Sequence, residues 1–320
     1  MSRGPSGGSC SPMRKTLLIV PALAWILPGQ APPLPELTPE ERAAVEAAAP
    51  SRAPARPQKS RRLLVFNRDV RNGEAVKVHH DSVSIGNYAL ETIGRKTGAW
   101  TVTQSGDPET WRPASIRQFD AICFMNTTGV LTEDKALRWS LLDFVRGGGG
   151  FIAFHAGGPA TFVQYPKYDQ FPEFGVMVGG YENGGHPWKH TETYPVRVED
   201  PHHPVTKMFG GRTFPVTDEV FQMMSPYSRE AVRVLLSIDA ADADVKPERR
   251  ILPERQKDLD FPVSWVKRYG QGRVFYTFLG HNKSTFTEPK LLEHFLAGIQ
   301  YAMGDLAADD TPSRFARIRK

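Results

Sequence analysis

The stretch Phe151-Ile152-Ala153-Phe154-His155-Ala156-Gly157 decides how the rest of the chain is read. Four apolar residues in a row, with no polar alternation, are what a strand covered on both faces requires. The run ends in His-Ala-Gly, the form of a strand feeding a tight turn. In many α/β hydrolytic and transferase folds that turn carries a nucleophile held exposed by backbone strain. Here the position is His155. An imidazole can serve there as general base, metal ligand or hydrogen-bond donor near neutral pH. The plainer alternative is a ring that only satisfies backbone groups of the turn. Its place at the end of a strand favours function.

The same rhythm repeats on either side. Residues 63–66 form a short apolar run, followed by a helix that Asp81 or Ser82 can cap and that reaches about Lys96. Its Ile85, Tyr88, Ala89 and Ile93 fall on one face, and Gly98 stops it. Residues 100–103 and 121–125 are further strands. Thr132 is the predicted cap of the next helix, whose Leu137, Leu141, Phe144 and Val145 share a face until the glycine run 147–150. Strand, helix, strand in this order predicts parallel βαβ units with right-handed crossovers. The second half is richer in strands, at 195–198, 232–238, 263–266 and 273–279. Tyr269-Gly270-Gln271-Gly272 reads as a tight turn between the last two. Residues 240–260 read as a charged surface excursion. A final helix from near Glu288 packs Leu292, Phe295, Leu296 and Ile299. No repeat and no linker interrupts 61–304, so the reading is one α/β domain with a mostly parallel sheet flanked by helices.

The ends read differently. Arg14-Lys15 precede the apolar run 16–27, and small residues follow at Gly29 and Ala31. That is the order of a secretory signal over 1–31, with Met13 a more natural start than Met1. The run is too short to span a bilayer comfortably, so no stable membrane span is expected once the signal is removed. The mature protein is expected to be exported, periplasmic or extracellular. Residues 32–60, rich in Pro, Ala and charge, read as a mobile linker with one short helix near 39–49. Residues 305–320, with Arg314, Arg317, Arg319 and Lys320, read as a flexible basic tail. The net charge is only +5, from 40 basic and 35 acidic residues. No stripe of Arg and Lys interleaved with aromatics exists, so nucleic acid is not an expected partner. Of the two cysteines, Cys10 lies in the signal and Cys123 in the apolar run Ala121-Ile122-Cys123-Phe124-Met125. The mature chain therefore has no internal disulfide, and Cys123 reads as a small buried hydrophobe.

In an open parallel sheet, ligands bind outside the carboxyl ends of the strands, near the point where strand order reverses. The segments following the strands are His79-His80-Asp81-Ser82, Asn126-Thr127-Thr128-Gly129, His155-Ala156-Gly157-Gly158 and Gly280-His281-Asn282. His155 and His281 are the catalytic candidates. His80 can orient a ligand, with helix capping by its neighbours as the alternative. His186 lies in the glycine turn Gly184-Gly185-His186-Pro187. Asp218-Glu219 can supply carboxylates, or be a solvated acidic pair. His202-His203-Pro204 reads as a structural turn and His294 as packing, and no role is assigned to His79 or His190. His155, His186 and His281, with Asp218 or Glu219, are ligand types for a zinc-like divalent metal. No HxH or CxxC spacing supports it, however. The glycine runs match neither GxGxxG nor a P-loop, so no nucleotide is expected.

Taken in order, His80-Asp81-Ser82, Asn126-Thr127-Thr128-Gly129, Gly147-Gly148-Gly149-Gly150-Phe151, His155-Ala156 and Val178-Gly179-Gly180-Tyr181 resemble the ThuA-like (trehalose-utilisation) family. So do Gly185-His186-Pro187, Glu199-Asp200-Pro201-His202-His203-Pro204, Thr217-Asp218-Glu219, Gly272-Arg273-Val274-Phe275-Tyr276-Thr277 and Leu279-Gly280-His281. The resemblance covers about 62–304. It implies a class I glutamine amidotransferase-like fold, flavodoxin-like and three-layered, and a link to the use of trehalose and related disaccharides oxidised to keto sugars. In glutamine amidotransferases the turn after this strand carries a catalytic Cys. The matching position here is His155, so glutaminase chemistry by a thiolate is excluded. Members often carry an Asp shortly after the motif His, whereas this chain has Ala156-Gly157-Gly158-Pro159-Ala160-Thr161-Phe162.

The expectation is therefore an exported carbohydrate-active isomerase, lyase or hydrolase acting on a small sugar or keto-sugar derivative. His155 or His281 would be the base, and Asp218 or Glu219 the partner acid. Asn126 and the backbone at turn glycines such as Gly157 would steady an enolate oxygen. Tyr181, Trp188 and Phe162 would stack on a sugar ring, and His80 and His186 would bind the ligand. The alternative is a non-catalytic carbohydrate-binding module with the same aromatic rim.

Overall fold

Nine strands form one sheet: β1 (Arg62–Phe66), β2 (Thr101–Ser105), β3 (Ala121–Met125), β4 (Gly150–Phe154), β5 (Thr193–Val198), β6 (Phe214–Thr217), β7 (Arg233–Ile238), β8 (Pro262–Tyr269) and β9 (Gly272–Thr277). Their spatial order is β2-β1-β3-β4-β9-β8-β7-β5-β6. The first five are mutually parallel. From β9 onward each neighbour is antiparallel. The computed structural model describes residues 1, 4, 33–164, 167, 170–182, 185–240 and 251–314. The expected signal, with Met13 and Cys10, falls outside them apart from residues 1 and 4.

The order 2-1-3-4 is the flavodoxin-like arrangement, whose switch point lies between β1 and β3. It arises from helices α1 (Pro39–Ala48), α2 (Val83–Thr97), α3 (Lys135–Arg146), α4 (Pro172–Val178), α5 (Pro253–Asp258) and α6 (Pro289–Ala302). α2 links β1 to β2 in one direction, and α3 links β3 to β4 in the other. Right-handed crossovers then place the two helices on opposite faces. Burial agrees: every residue of β3 and β4 is buried, as is every residue of β1 after Arg62. Cys123 is fully buried in β3, where burial pushes its thiol well above the ordinary range.

Caps explain the helix bounds. Gly98 closes α2 in the left-handed conformation, at φ 68°. α3 is capped by Asp134, whose carboxylate accepts from the Ala136 and Leu137 amides. The expected cap at Thr132 is thus corrected by two residues. Strand β6 escapes a pattern reading because Phe-Pro-Val-Thr contains a proline. Proline donates nothing to a ladder, and it is tolerated here because β6 lies at the sheet edge.

Both ends of the domain are longer than the sequence reading places them. In the expected linker, Thr38 and Glu41 form a capping box on α1. Val45 is fully buried, and Glu46 accepts from the Tyr88 hydroxyl at 2.9 Å. Ser84 Oγ donates to Pro35 O, and the Gln300 amide exchanges hydrogen bonds with Ala55. These contacts fasten residues 33–60 to α2 and α6. The expected flexible tail is docked as far as it is described. Arg61 pairs with Asp305 at 2.6 Å, Tyr301 and Arg268 hold Asp310, and Ser313 N donates to Val232 O beside β7. Residues 315–320 lie outside the described residues. So do 241–250, half of the expected surface excursion, whose remainder carries α5.

His294 on α6 is a core residue, as its apolar neighbours imply. Its Nδ1 lies 2.7 Å from Val205 O and its Nε2 lies 3.0 Å from Ser264 Oγ. Burial pushes its pKa down from 6.5 to about 4. Between those values the unfolded chain binds the proton that the folded chain refuses, so stability falls as pH is lowered through that window. The loss approaches about 3 kcal/mol at pH 4, at about 1.4 kcal/mol per unit. Urea unfolding between pH 7 and pH 4.5 should show this loss, and His294→Gln, which does not titrate, should flatten it. An equal slope in both proteins would refute the assignment.

Candidate functional site

Strands β1, β3, β4 and β9 all end at one rim, and each is followed by a residue of the candidate site. After β4, His155 is fully buried and sits at φ 48°, in the left-handed region. After β3, Asn126 sits at φ 53°. Non-glycine residues rarely adopt this conformation unless their surroundings enforce it, and such residues concentrate at functional sites. At His155 the enforcement is visible. The ring stacks on Phe221 at 4.4 Å, Nδ1 lies 2.8 Å from Phe278 O, and the Tyr276 hydroxyl donates to His155 O. The next turn residue, Gly157, passes so close to β3 that a Cβ there would meet Phe124 O at 2.2 Å.

The loop after β9 is held from below. The buried Asp218 carboxylate follows β6 and accepts from Gly280 N at 2.7 Å, Thr285 Oγ1 at 2.7 Å and Asn282 N at 3.0 Å. It also accepts from Glu219 N at 3.0 Å. Asn126 Nδ2 and Ser82 Oγ both donate to Gly280 O. Asp69 performs the same task after β1, accepting from His79 N and Thr128 N.

These anchors bring four groups together. His80, His155 and His281 stand edge-on to one another, with ring centroids 4.9 to 5.3 Å apart. Glu219 Oε2 lies 3.3 Å from His155 Nε2, 3.5 Å from His186 Nδ1 and 3.9 Å from His281 Nε2. Two sets of donor atoms lie within 4.8 Å of each other: His80, His155, His281, and His190, Glu219, His281. Burial alone would raise the Glu219 pKa, but the hydrogen bond and charges of His155, His186 and His281 prevail and lower it to about 2. Burial, then the charges of His155 and His281, holds His80 well below the usual imidazole range. His281 is lowered by burial and by His155. The site thus offers an ionised carboxylate beside two imidazoles, His80 and His281, that favour the neutral form.

A cavity of about 660 Å³ opens above this group, a size suited to a small ligand. His80, His186, Glu219, Phe221 and His281 line it, as does Glu182. Several sequence expectations need correction. His155 lies beneath the cavity wall rather than in it. Asp218 spends its carboxylate on the 280–285 loop, so it positions and does not transfer protons. Asn126 likewise ties β3 to Gly280, and Gly157 packs on β3. Tyr181 is buried, its hydroxyl donating to Phe171 O. Trp188 is buried against Phe261 and Tyr194, and Phe162 against Phe171 and Phe174. None of the three presents a face to a sugar. In the histidine cluster His80 stands where the sequence reading puts His186. His79, Glu182 and Phe221 were missed. Phe221 was legible only as an apolar residue two places after Glu219, and Glu182 only as an acid beside a glycine turn.

The ThuA profile, described as trehalose utilisation, matches residues 62–302. The chain belongs to the ThuA family. A ThuA-like protein from Bacteroides uniformis ATCC 8492 superposes with a TM-score of 0.58 at 19% identity, covering 78% of this chain and 94% of that one. Another, from Parabacteroides merdae ATCC 43184, gives a TM-score of 0.50 at 19% identity, covering 79% and 93%. At this identity the likeness shows the fold alone. Among curated proteins none matches the sequence.

The anchoring role of Asp218 has a measurable consequence. Asp218→Ala leaves donors from three loop residues unsatisfied, two of them buried, and should cost about 3 kcal/mol or more in urea unfolding. A loss under about 1 kcal/mol would show that the loop does not depend on it.

Proposed function

We propose that the cavity binds a sugar or keto-sugar derivative and moves a proton on it. One observation carries the reading: the ionised Glu219 carboxylate reaches the cavity floor with histidine nitrogens on three sides. A keto group acidifies its neighbouring C–H. Glu219 would take that proton, and His186, on the cavity side, would supply or accept the second one, giving isomerisation or elimination. His155 would hold Glu219 from beneath. The family's description as trehalose utilisation supports a carbohydrate substrate. Chemistry by a thiolate has no support, because Cys123 is buried inside β3. The binding-module alternative lacks its main requirement. Phe221 is the one non-histidine aromatic lining the cavity among the described residues, and its ring is stacked on His155.

A time course of a 3-keto disaccharide followed by NMR, with the chain from Pro32 onward, tests this reading. New sugar signals are expected, and Glu219→Gln should slow their appearance by about 10² to 10⁴-fold. Line broadening without conversion would favour a binding module. Full activity in Glu219→Gln would remove the assigned base.

We also propose export, from the Arg14-Lys15, apolar and small-residue order of the N-terminus. Expression of the full chain in a diderm bacterium should yield a periplasmic or secreted product whose mass begins near Pro32. An uncleaved cytoplasmic chain would sink the idea.

A further inference from the structure

We infer that His80, His155 and His281 bind a divalent transition-metal ion of the zinc type at the cavity floor. The argument rests on where each ring's N–H goes. His155 Nδ1 faces the Phe278 carbonyl, which can only accept, so the proton sits on Nδ1 and Nε2 presents a lone pair. The Asn282 amide is oriented by its Nδ2, which donates to His190 O and Thr217 O. Its Oδ1 therefore faces His281 Nδ1 at 3.2 Å as an acceptor, and the His281 Nε2 lone pair turns inward. The His80 Nδ1 is buried with no hydrogen-bond partner. His155 Nε2 is likewise buried without a well-formed hydrogen bond.

His155 and His281 thus each fix one nitrogen on an oxygen acceptor and leave the other open, the arrangement by which metal-binding histidines are oriented. One nitrogen of each ring lies within 4.8 Å of the others. Lone pairs gathered this closely repel one another. A cation among them reverses the sign of every one of these terms. Packing alone does not account for three histidines that bring one nitrogen each within 4.8 Å of the others, two of them in buried side chains.

The donor set selects the ion. Imidazoles suit zinc and its neighbours, whereas magnesium and calcium prefer all-oxygen shells. Three protein nitrogens with an open fourth position are the pattern of a catalytic rather than a structural zinc site. The open side here faces the cavity, because His281 and Glu219 line it while His155 does not. An ion at this point would polarise a carbonyl oxygen entering beside Glu219. The inference deepens the proton-transfer reading without resting on it, since occupancy is read from the metal alone.

The test uses the tag-free chain, stripped with a chelator and then given zinc, or cobalt as a coloured probe. One zinc ion per chain by calorimetry and elemental analysis is expected, with intense visible cobalt bands typical of low-coordinate imidazole sites. His80→Ala, His155→Ala and His281→Ala should each weaken binding by at least about tenfold, the lower bound for losing even an outer partner. His202→Ala, on the exposed turn after β5, should bind as the parent does. His281 is part-exposed, so if His155→Ala fails to fold by circular dichroism, His281→Ala decides. No stoichiometric uptake by the parent, or uptake unchanged in His281→Ala, would overturn the proposal. Uptake lost in His202→Ala would overturn it too, by placing the metal elsewhere.

Discussion

The buried carboxylate of Asp218 is the interaction on which the site depends. The sheet's parallel and antiparallel halves meet at β9, and β6 lies at the far edge of the antiparallel half. The chain leaving β6 must cross back to the end of β9 for Glu219 to meet the histidines. Asp218 holds that crossing by accepting from Gly280 N, Asn282 N and Thr285 Oγ1. A carboxylate accepting several backbone N–H groups is among the stronger polar anchors available to a protein. It carries the adjacent Glu219 with it. Asn126 and Ser82 complete the knot from the parallel half by bonding Gly280 O.

The strained turn after β4 gains its meaning from this setting. A fold that can place a nucleophile at this position holds a histidine instead, at φ 48°. The ring is clamped by Phe221 above and the Phe278 carbonyl at its edge. A side chain so restrained cannot swing to a substrate, but it can hold a charge or an ion in place. The groups that face the cavity stand one layer outward, at Glu219, His186 and His281. A rigid buried layer packed beneath side chains that face a cavity is how precise site geometry is generally secured.

The parallel half was legible in the sequence. Leu63 to Phe66, Ala121 to Met125 and Phe151 to Phe154 lack polar alternation because helices cover both faces. The strand-end histidines His155 and His281 could be named from that rhythm, and the pair Asp218-Glu219 only from its residue types. The aromatic rim could not. Tyr181, Trp188 and Phe162 look alike in sequence whether they face a ligand or a core, and packing decided for the core. The linker and tail readings failed for a related reason. Pro-rich and charged stretches look mobile, yet Val45, Asp305 and Asp310 find partners distant in sequence.

The sequence by itself determined the strand and helix alternation and the rim at which the polar strand-end residues collect. These follow from local periodicity and residue type, which act over a few positions. Only the tertiary structure decided which polar side chain faces the cavity and which supports the loop. Asp218 and Glu219 are neighbours with the same functional group, and nothing local separates them. One faces four donors beneath the loop and the other faces the cavity. That difference arises from contacts with residues more than sixty positions away, which no local pattern can encode.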